Sequence, residues 1–211
     1  MKKLSLIFTA ILLIMGNVKG QTNHSYNGEN ETRRIINKKK FHLYYEEVMI
    51  DKTVEEVWNE VAGNFTKGGE IAKSINSSRC LSGDTTYGLG AERYLNIDFQ
   101  GSTLEVKERI IDFQDTGDFR QFTYDVYESI GTPVKVKSYN TWSVRKGADG
   151  KTYLGNLFIY RANISFLTGF IGKKLKQSGS VRSGLLTYKH YLETGEKKVD
   201  AEKLNKLYPL K

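Results

Sequence analysis

Apolar residues at alternate positions dominate the middle of the chain, and the alternation begins at Phe41. Phe41, Leu43 and Tyr45, then Val48 and Ile50, predict a first strand rich in β-formers with one break in its alternation. The period then lengthens. Val54, Val57, Trp58 and Val61 follow at helical spacing, and Thr53 with Glu56 three residues on supplies a capping box. Gly63 is the expected stop, and 64–73, with Phe65, Ile71 and Ala72 around Gly68-Gly69, suits a short second helix or an irregular turn. Six further strands are expected at 74–81, 90–99, 103–113, 119–128, 134–145 and 153–162. The turns between the last five are short, and short connections join consecutive antiparallel strands. From Ile164 to Thr194 the pattern is too long for a strand. There Phe166, Phe170, Ile171, Leu175, Val181, Leu185, Tyr188 and Leu192 make most of an apolar stripe, and Gly195 ends it. Residues 196–211 read as a charged tail with room for one short turn of helix.

The order strand, helix, helix, six strands, long helix is an α+β arrangement with helices segregated from an antiparallel meander. The long helix must bury its stripe against one face of the sheet, and a curved sheet around one helix encloses a space. The helix carries Gly172, Ser178, Gly179, Ser180, Ser183 and Gly184. Because each interior Gly costs about 1 kcal/mol against Ala, these small residues read as room beneath the helix, a kink, or close backbone approach.

Composition adds limits. At 211 residues, 27% charged and 12% aromatic, the chain is one domain, too apolar for a disordered chain and too polar for a membrane bundle. Its one Cys excludes an internal disulfide framework and any multi-Cys zinc site. Residues 1–20 read as a secretory signal peptide. Lys2 and Lys3 precede the apolar run from Leu4 to Gly16, shorter than a membrane span, and Val18 and Gly20 suit cleavage before Gln21. Cleavage would leave 29 basic against 24 acidic residues, a net charge of +5, and an exported location. Part of that excess sits in Arg33, Arg34, Lys38, Lys39 and Lys40, within a polar arm at 21–40. The arm reads as solvated and disordered, with weak docking on an acidic membrane surface through Arg33–Lys40 as its functional alternative. Nucleic acid is not an expected partner of an exported protein.

Several pieces of sequence on this frame resemble the SRPBCC or START-like superfamily, the helix-grip fold of polyketide cyclases/dehydratases, lipid-transfer domains and plant hormone-binding receptors. They are Val54-Glu55-Glu56-Val57-Trp58, Gly88-Leu89-Gly90-Ala91-Glu92-Arg93, Leu104 to Ile110, Phe122-Thr123-Tyr124 ahead of Pro133, Tyr139-Asn140-Thr141-Trp142 and Gly184-Leu185-Leu186. Together they cover 43–194. The resemblance implies a START/Bet v 1-like fold over 41–195, with an antiparallel seven-stranded curved sheet around a long C-terminal helix and two short helices after the first strand. It also implies a ligand cavity between sheet and helix, with Glu108 and Tyr139 on its wall.

Alternation gives an independent view of that wall. Arg93 shares a face with Leu95 and Ile97, Glu108 with Leu104, Val106 and Ile110, and Tyr124 with Phe122 and Val126. Asn156 lies with Leu154, Phe158 and Tyr160. For Tyr139 the two arguments conflict, because simple alternation puts it with Lys135 and Lys137, opposite Trp142. An Arg and a Glu on apolar faces must pair, be solvated or lose charge, so Arg93 and Glu108 either orient the polar group of an apolar ligand or neutralise each other.

Catalytic signatures are absent from the sequence. Gly150-Lys151-Thr152 imitates the end of a phosphate loop, but Arg145 stands where its first Gly belongs, and Asp149-Gly150 reads as a hairpin turn. His190 with Glu193 reads as a solvated pair, Cys80 as a small core residue, and neither a metal nor a cofactor is expected. The sequence therefore supports an exported, cofactor-free binding or carrier protein for a hydrophobic or amphipathic small molecule. The candidate ligand-binding residues are Arg93, Glu108, Tyr124, Tyr139, Asn156 and Phe158. The alternatives are a cyclase/dehydratase using acid/base groups of the same cavity, and an interaction module with a closed cavity.

Overall fold

The structure, a computed structural model, describes residue 35 and residues 41–99, 102–131, 136–162, 168–169, 173 and 179–209. The expected signal segment and basic arm therefore lie outside the described residues, except that Ile35 is helical and buried. The 131–133 turn and much of the helix expected from residue 164 also fall largely outside them.

Strand β1 (His42–Ile50) leads into helix α1 (Val54–Gly63), a 3-10 turn (Phe65–Lys67) and helix α2 (Gly68–Ile71). Strands β2 (Ile75–Cys80), β3 (Glu92–Phe99), β4 (Ser102–Gln114), β5 (Phe119–Ile130), β6 (Val136–Lys146) and β7 (Thr152–Ala162) follow. Helices α3 (Ser180–Thr194) and α4 (Ala201–Leu207) complete the described chain. The strands form one seven-stranded sheet in the order β1-β7-β6-β5-β4-β3-β2, with every pair antiparallel. Consecutive strands are neighbours except β1 and β2, which α1 and α2 connect from the edge beside β7 to the opposite edge.

The capping box forms as its spacing requires. Thr53 Oγ1 accepts the Glu56 N–H at 3.2 Å, and the Glu56 carboxylate accepts the Thr53 N–H at 2.8 Å. Val57, Trp58, Val61 and Ala62 then face the sheet, where Trp58 packs against Phe113 and Phe122 with ring centroids 5.5 and 5.9 Å apart. Phe65 adds edge contacts to Phe122 and Tyr124. Offset and edge-on aromatic pairs of this kind are worth roughly 0.5–1.5 kcal/mol each beyond their buried area.

Two bulges in the β4–β5 pairing, one on each strand, shape the concave face. The pairing shifts register between Lys107 and Glu108 and again between Ile110 and Asp112. Bulges sharpen the local bend of a strand, and the second of them returns Phe113 to the core side beside Ile110. Between Gly69 and β2 the backbones nearly touch. A Cβ at Gly69 would meet Ser78 Oγ at 2.8 Å, and the Gly69 N–H donates to that same hydroxyl.

The C-terminal half departs from expectation in two ways. Thr168, Gly169 and Lys173 are helical, but Gly179 has φ +60°, and α3 starts after it at Ser180. One continuous helix from 164 to 194 is therefore ruled out, because a left-handed residue cannot propagate a right-handed helix. Residues 196–209 are not a loose tail either. Val199 and Leu204 are buried against Leu186 of α3, and α4 runs for two turns. The Lys198 N–H donates to the Ile71 carbonyl, and its Nζ to the carbonyls of Ala72 and Ile75, tying this segment to the turn between α2 and β2.

Candidate functional site

Between the concave sheet face and α3 lie two small chambers, the first partly enclosed and the second open to the surface. The first, of about 200 Å³, is lined by Phe65, Leu95, Ile97, Phe122, Trp142 and Tyr188, with Arg93, Glu108 and Tyr124 among them. The second, of about 160 Å³, is lined by Asn140, Trp142, Asn156, Phe158, Ser180 and Val181. Trp142 and Gly184 border both. A larger groove of about 1140 Å³ runs past Lys52, Glu55, Glu56, Lys146 and Lys151, an open surface of mixed charge with Met49, Ile50 and Val54 among its lining.

The register across β3, β4 and β5 brings the polar groups of the first chamber together. Arg93 stands opposite Glu108, and Glu108 opposite Val126. Both side chains are buried, at 7% and 5% exposure, and they pair. Arg93 Nε and Nη2 each lie 2.6 Å from Glu108 Oε2, while Nη1 donates to the Phe65 carbonyl. The guanidinium also covers the Phe65 ring at 4.1 Å and the Tyr124 ring at 5.0 Å, an arrangement that favours a flat delocalised cation. Gly68 packs beside this group, where a Cβ would stand at ordinary contact distance, 3.5 Å, from Arg93 Nη1 and more tightly, 3.3 Å, against Ile75 Cδ1.

Burial pushes the Glu108 carboxyl upward and Arg93 pulls it back only in part. Burial opposes the Arg93 charge, and Glu108, followed by Tyr124 and Tyr188, restores it. The phenols of Tyr124 and Tyr188 are pushed up chiefly by burial, so both are neutral hydrogen-bonding groups. The Trp142 indole beside the Tyr124 hydroxyl tempers that rise slightly, and Trp142 meets Tyr188 edge-on at 5.2 Å. In the second chamber, Asn156 donates through Nδ2 to Asn140 Oδ1 at 2.6 Å, and Phe158 stacks on Tyr160.

Of the sequence-derived candidates, Arg93, Glu108 and Tyr124 meet at the first chamber, and Asn156 and Phe158 at the second. Tyr139 requires correction. The register of β6 is unbroken against both β5 and β7, so Tyr139 faces away from Trp142 and stands opposite Ile159 and Asp125 on the other side of the sheet. There it is 6% exposed and meets Phe41 edge-on at 5.7 Å. The bulge that would have turned it inward is absent.

Trp142, Tyr188 and Gly184 were not among the candidates. All three carried a signal, Trp142 through its alternation with Val144, Tyr188 through the apolar stripe and Gly184 through the run of small residues on the helix, but nothing local joins them. His190 also differs from expectation. It is buried, its Nδ1 3.1 Å from the Tyr208 hydroxyl and its Nε2 2.9 Å from the Glu196 carboxylate, while Glu193 pairs with Lys189. Cys80 is half-buried at the end of an edge strand, its Sγ 3.5 Å from Ser82 Oγ. The 147–150 segment is a hairpin turn, with the Gly150 N–H bonded to the Gly147 carbonyl and φ +79° at Gly150.

This architecture is the helix-grip fold of SRPBCC/START-like proteins, including Bet v 1-like structures. Ginseng major latex-like protein 151 from Panax ginseng superposes with a TM-score of 0.56 at 16% identity, over 74% of this chain and 97% of that one. A START superfamily protein from Mycobacterium smegmatis gives 0.50 at 12% identity, over 68% and 95%. The di-domain ARO/CYC BexL from the BE-7585A biosynthetic pathway gives 0.55 at 18% identity, over 72% of this chain and 46% of that one. No family model matches the sequence. No curated protein matches it either.

Proposed function

We propose that the protein binds or carries a hydrophobic or amphipathic small molecule in the space between the sheet and α3, without a cofactor. The observation that carries this reading is the state of the one ion pair buried on both sides among the described residues. Arg93 and Glu108 are committed to each other, and Arg93 also to the Phe65 carbonyl, so the apolar wall of the first chamber carries a neutralised polar pair rather than a free charge. Apolar walls with a few convergent polar groups are what small-molecule sites share. Export, which rests on the N-terminal sequence, is part of the same proposal. The mass of the mature N-terminus after secretion tests it, with Gln21 as the expected first residue.

An acid/base enzyme of the cyclase/dehydratase kind is the second reading. It is favoured by the upward shift of Glu108 beside Tyr124 and by the likeness to the ARO/CYC structure. Native against denaturing mass spectrometry of mildly purified protein separates the possibilities. A reproducible apolar adduct that also raises Tm supports carriage, because a ligand that binds only the folded state stabilises it. Turnover lost in Glu108→Gln, with binding retained, supports the enzyme. No adduct and no thermal shift across a lipid and aromatic panel rejects both.

A further inference from the structure

We infer that the outer, convex face of the sheet is a docking surface, and that its occupant is the chain's own segment 31–40. The stretch whose sequence suggests a solvated basic arm is then a partner of the domain. This concerns the face opposite the chambers and holds whatever they bind.

An antiparallel sheet packed on one side commonly shows its other side to water. The described helices all lie on the concave side, α1 and α3 over the main core, α4 on Leu186 of α3, and α2 against Ser78, which stands opposite Leu95. The outer face is nevertheless dry. Cross-strand partners share a face, so Ile159, Tyr139 and Asp125 form one outward row, and Leu157, Thr141 and Thr123 the next. Ile159 and Thr123 are 0% exposed, Thr141 is 4% and Leu157 and Tyr139 are 6%. The Thr123 and Thr141 hydroxyls meet at 2.7 Å among them. Threonines are too short to shield one another across strands about 4.8 Å apart, so full burial in the middle of this face calls for a second layer.

The chain ahead of β1 is placed to supply that layer. Phe41 sits on this side, its ring edge-on to Tyr139 at 5.7 Å. Ile35 is helical and 1% exposed, yet it belongs to neither of the apolar clusters on the concave side. Six residue steps separate it from Phe41, a reach of up to about 20 Å, whereas the buried rows cross only two strand spacings, about 10 Å. The chain from Glu31 to Lys211 also forms one compact unit, as a docked segment requires.

The chemistry of the two surfaces matches. Ile35 and Ile36 are apolar counterparts for Ile159, Leu157 and Tyr139. Arg33 and Arg34 are cationic counterparts for Asp112, which stands opposite Thr123 at the end of the threonine row and is engaged, not free. Cations held this way serve the fold, which withdraws them from an acidic membrane surface.

Thiol labelling of the 21–211 protein with N-ethylmaleimide tests this, because a buried thiol reacts only when its cover opens. Cys80→Ser removes the native thiol, and Thr141→Cys places a reporter of nearly the same size on the outer face. The reporter is expected to label slowly. Adding Ile35→Asp should speed it by at least about tenfold, while a concave-side reporter, Val144→Cys in place of Thr141→Cys, stays slow. If Ile35→Asp speeds both reporters by unfolding the sheet, Arg33→Glu/Arg34→Glu repeats the comparison with a surface change, and it should speed the outer reporter alone. Outer labelling that is fast before any change to the segment shows an open face and overturns the inference. Outer labelling that stays slow in both segment variants shows another cover and overturns it too, and protection that then fades on dilution identifies that cover as a second copy of the chain.

Discussion

Arg93 and Glu108 show what one buried charged pair does to a site. Desolvating two charges costs several kcal/mol each, and their mutual attraction repays this only with good geometry. Here Oε2 takes two guanidinium nitrogens, the Phe65 carbonyl takes a third, and two aromatic faces cover the cation. Removing one partner leaves the other charge buried and unpaired. Arg93→Met is therefore expected to lower unfolding free energy by about 3–5 kcal/mol in urea titration, whereas the double variant Arg93→Met/Glu108→Leu should recover most of the loss. Equal destabilisation by the single and double variants would show that the pair is not the source. A milder effect belongs to Thr53, whose replacement by Ala should cost about 1 kcal/mol by removing the α1 cap.

The C-terminal segment carries the most consequence among the elements, because it ties α3 to the turn beside the first chamber. Lys198 has φ +60°, a backbone state that non-Gly residues adopt rarely, and its amine reaches two carbonyls of the α2–β2 turn. Lys73 pairs with Asp200 at 2.6 Å alongside it. Ala72, Ser74 and Ile75 of that turn line the chamber, so the position of the segment sets one of its walls. Glu196 holds the near end through Lys203 and His190, whose hydrogen bonds keep its carboxyl below the ordinary carboxylate range. A carboxyl depressed by folding stabilises the fold above its unfolded value, and that contribution is lost as pH falls through the folded value. Acidification below the ordinary carboxylate range should therefore lower amide protection, relative to the intrinsic exchange rate at each pH, in residues 196–208 before the sheet opens. Glu196→Gln should remove that pH dependence, which exchange mass spectrometry reads directly.

For the molecule as a whole, the segment is part of the core's closure. Deleting residues 197–211 removes Val199 and Leu204 from Leu186 and should lower stability by about 2 kcal/mol or more. A urea midpoint unchanged by the deletion would contradict this. Strand number, the consecutive pairing of the later strands and the capped first helix were legible in the chain because alternation, short turns and a capping box are local signals, whereas the pairing of β1 with β7 is not local. The faces of Arg93, Glu108, Tyr124 and Asn156 followed from the same alternation. Tyr139 was misplaced where likeness to a family was preferred to alternation, and the unbroken register of β6 decided against it. The break at Gly179 was obscured because an apolar stripe continues through it, and periodicity does not record a single left-handed residue. The sequence by itself determined which residues are strands and which faces they share, since those depend on neighbours two to four positions away. The tertiary structure alone decided that Arg93 finds Glu108, that Trp142 divides the space, and that Lys198 closes on the α2–β2 turn. Each of those contacts joins residues distant in sequence, whose meeting is set by sheet register, bulges and helix position.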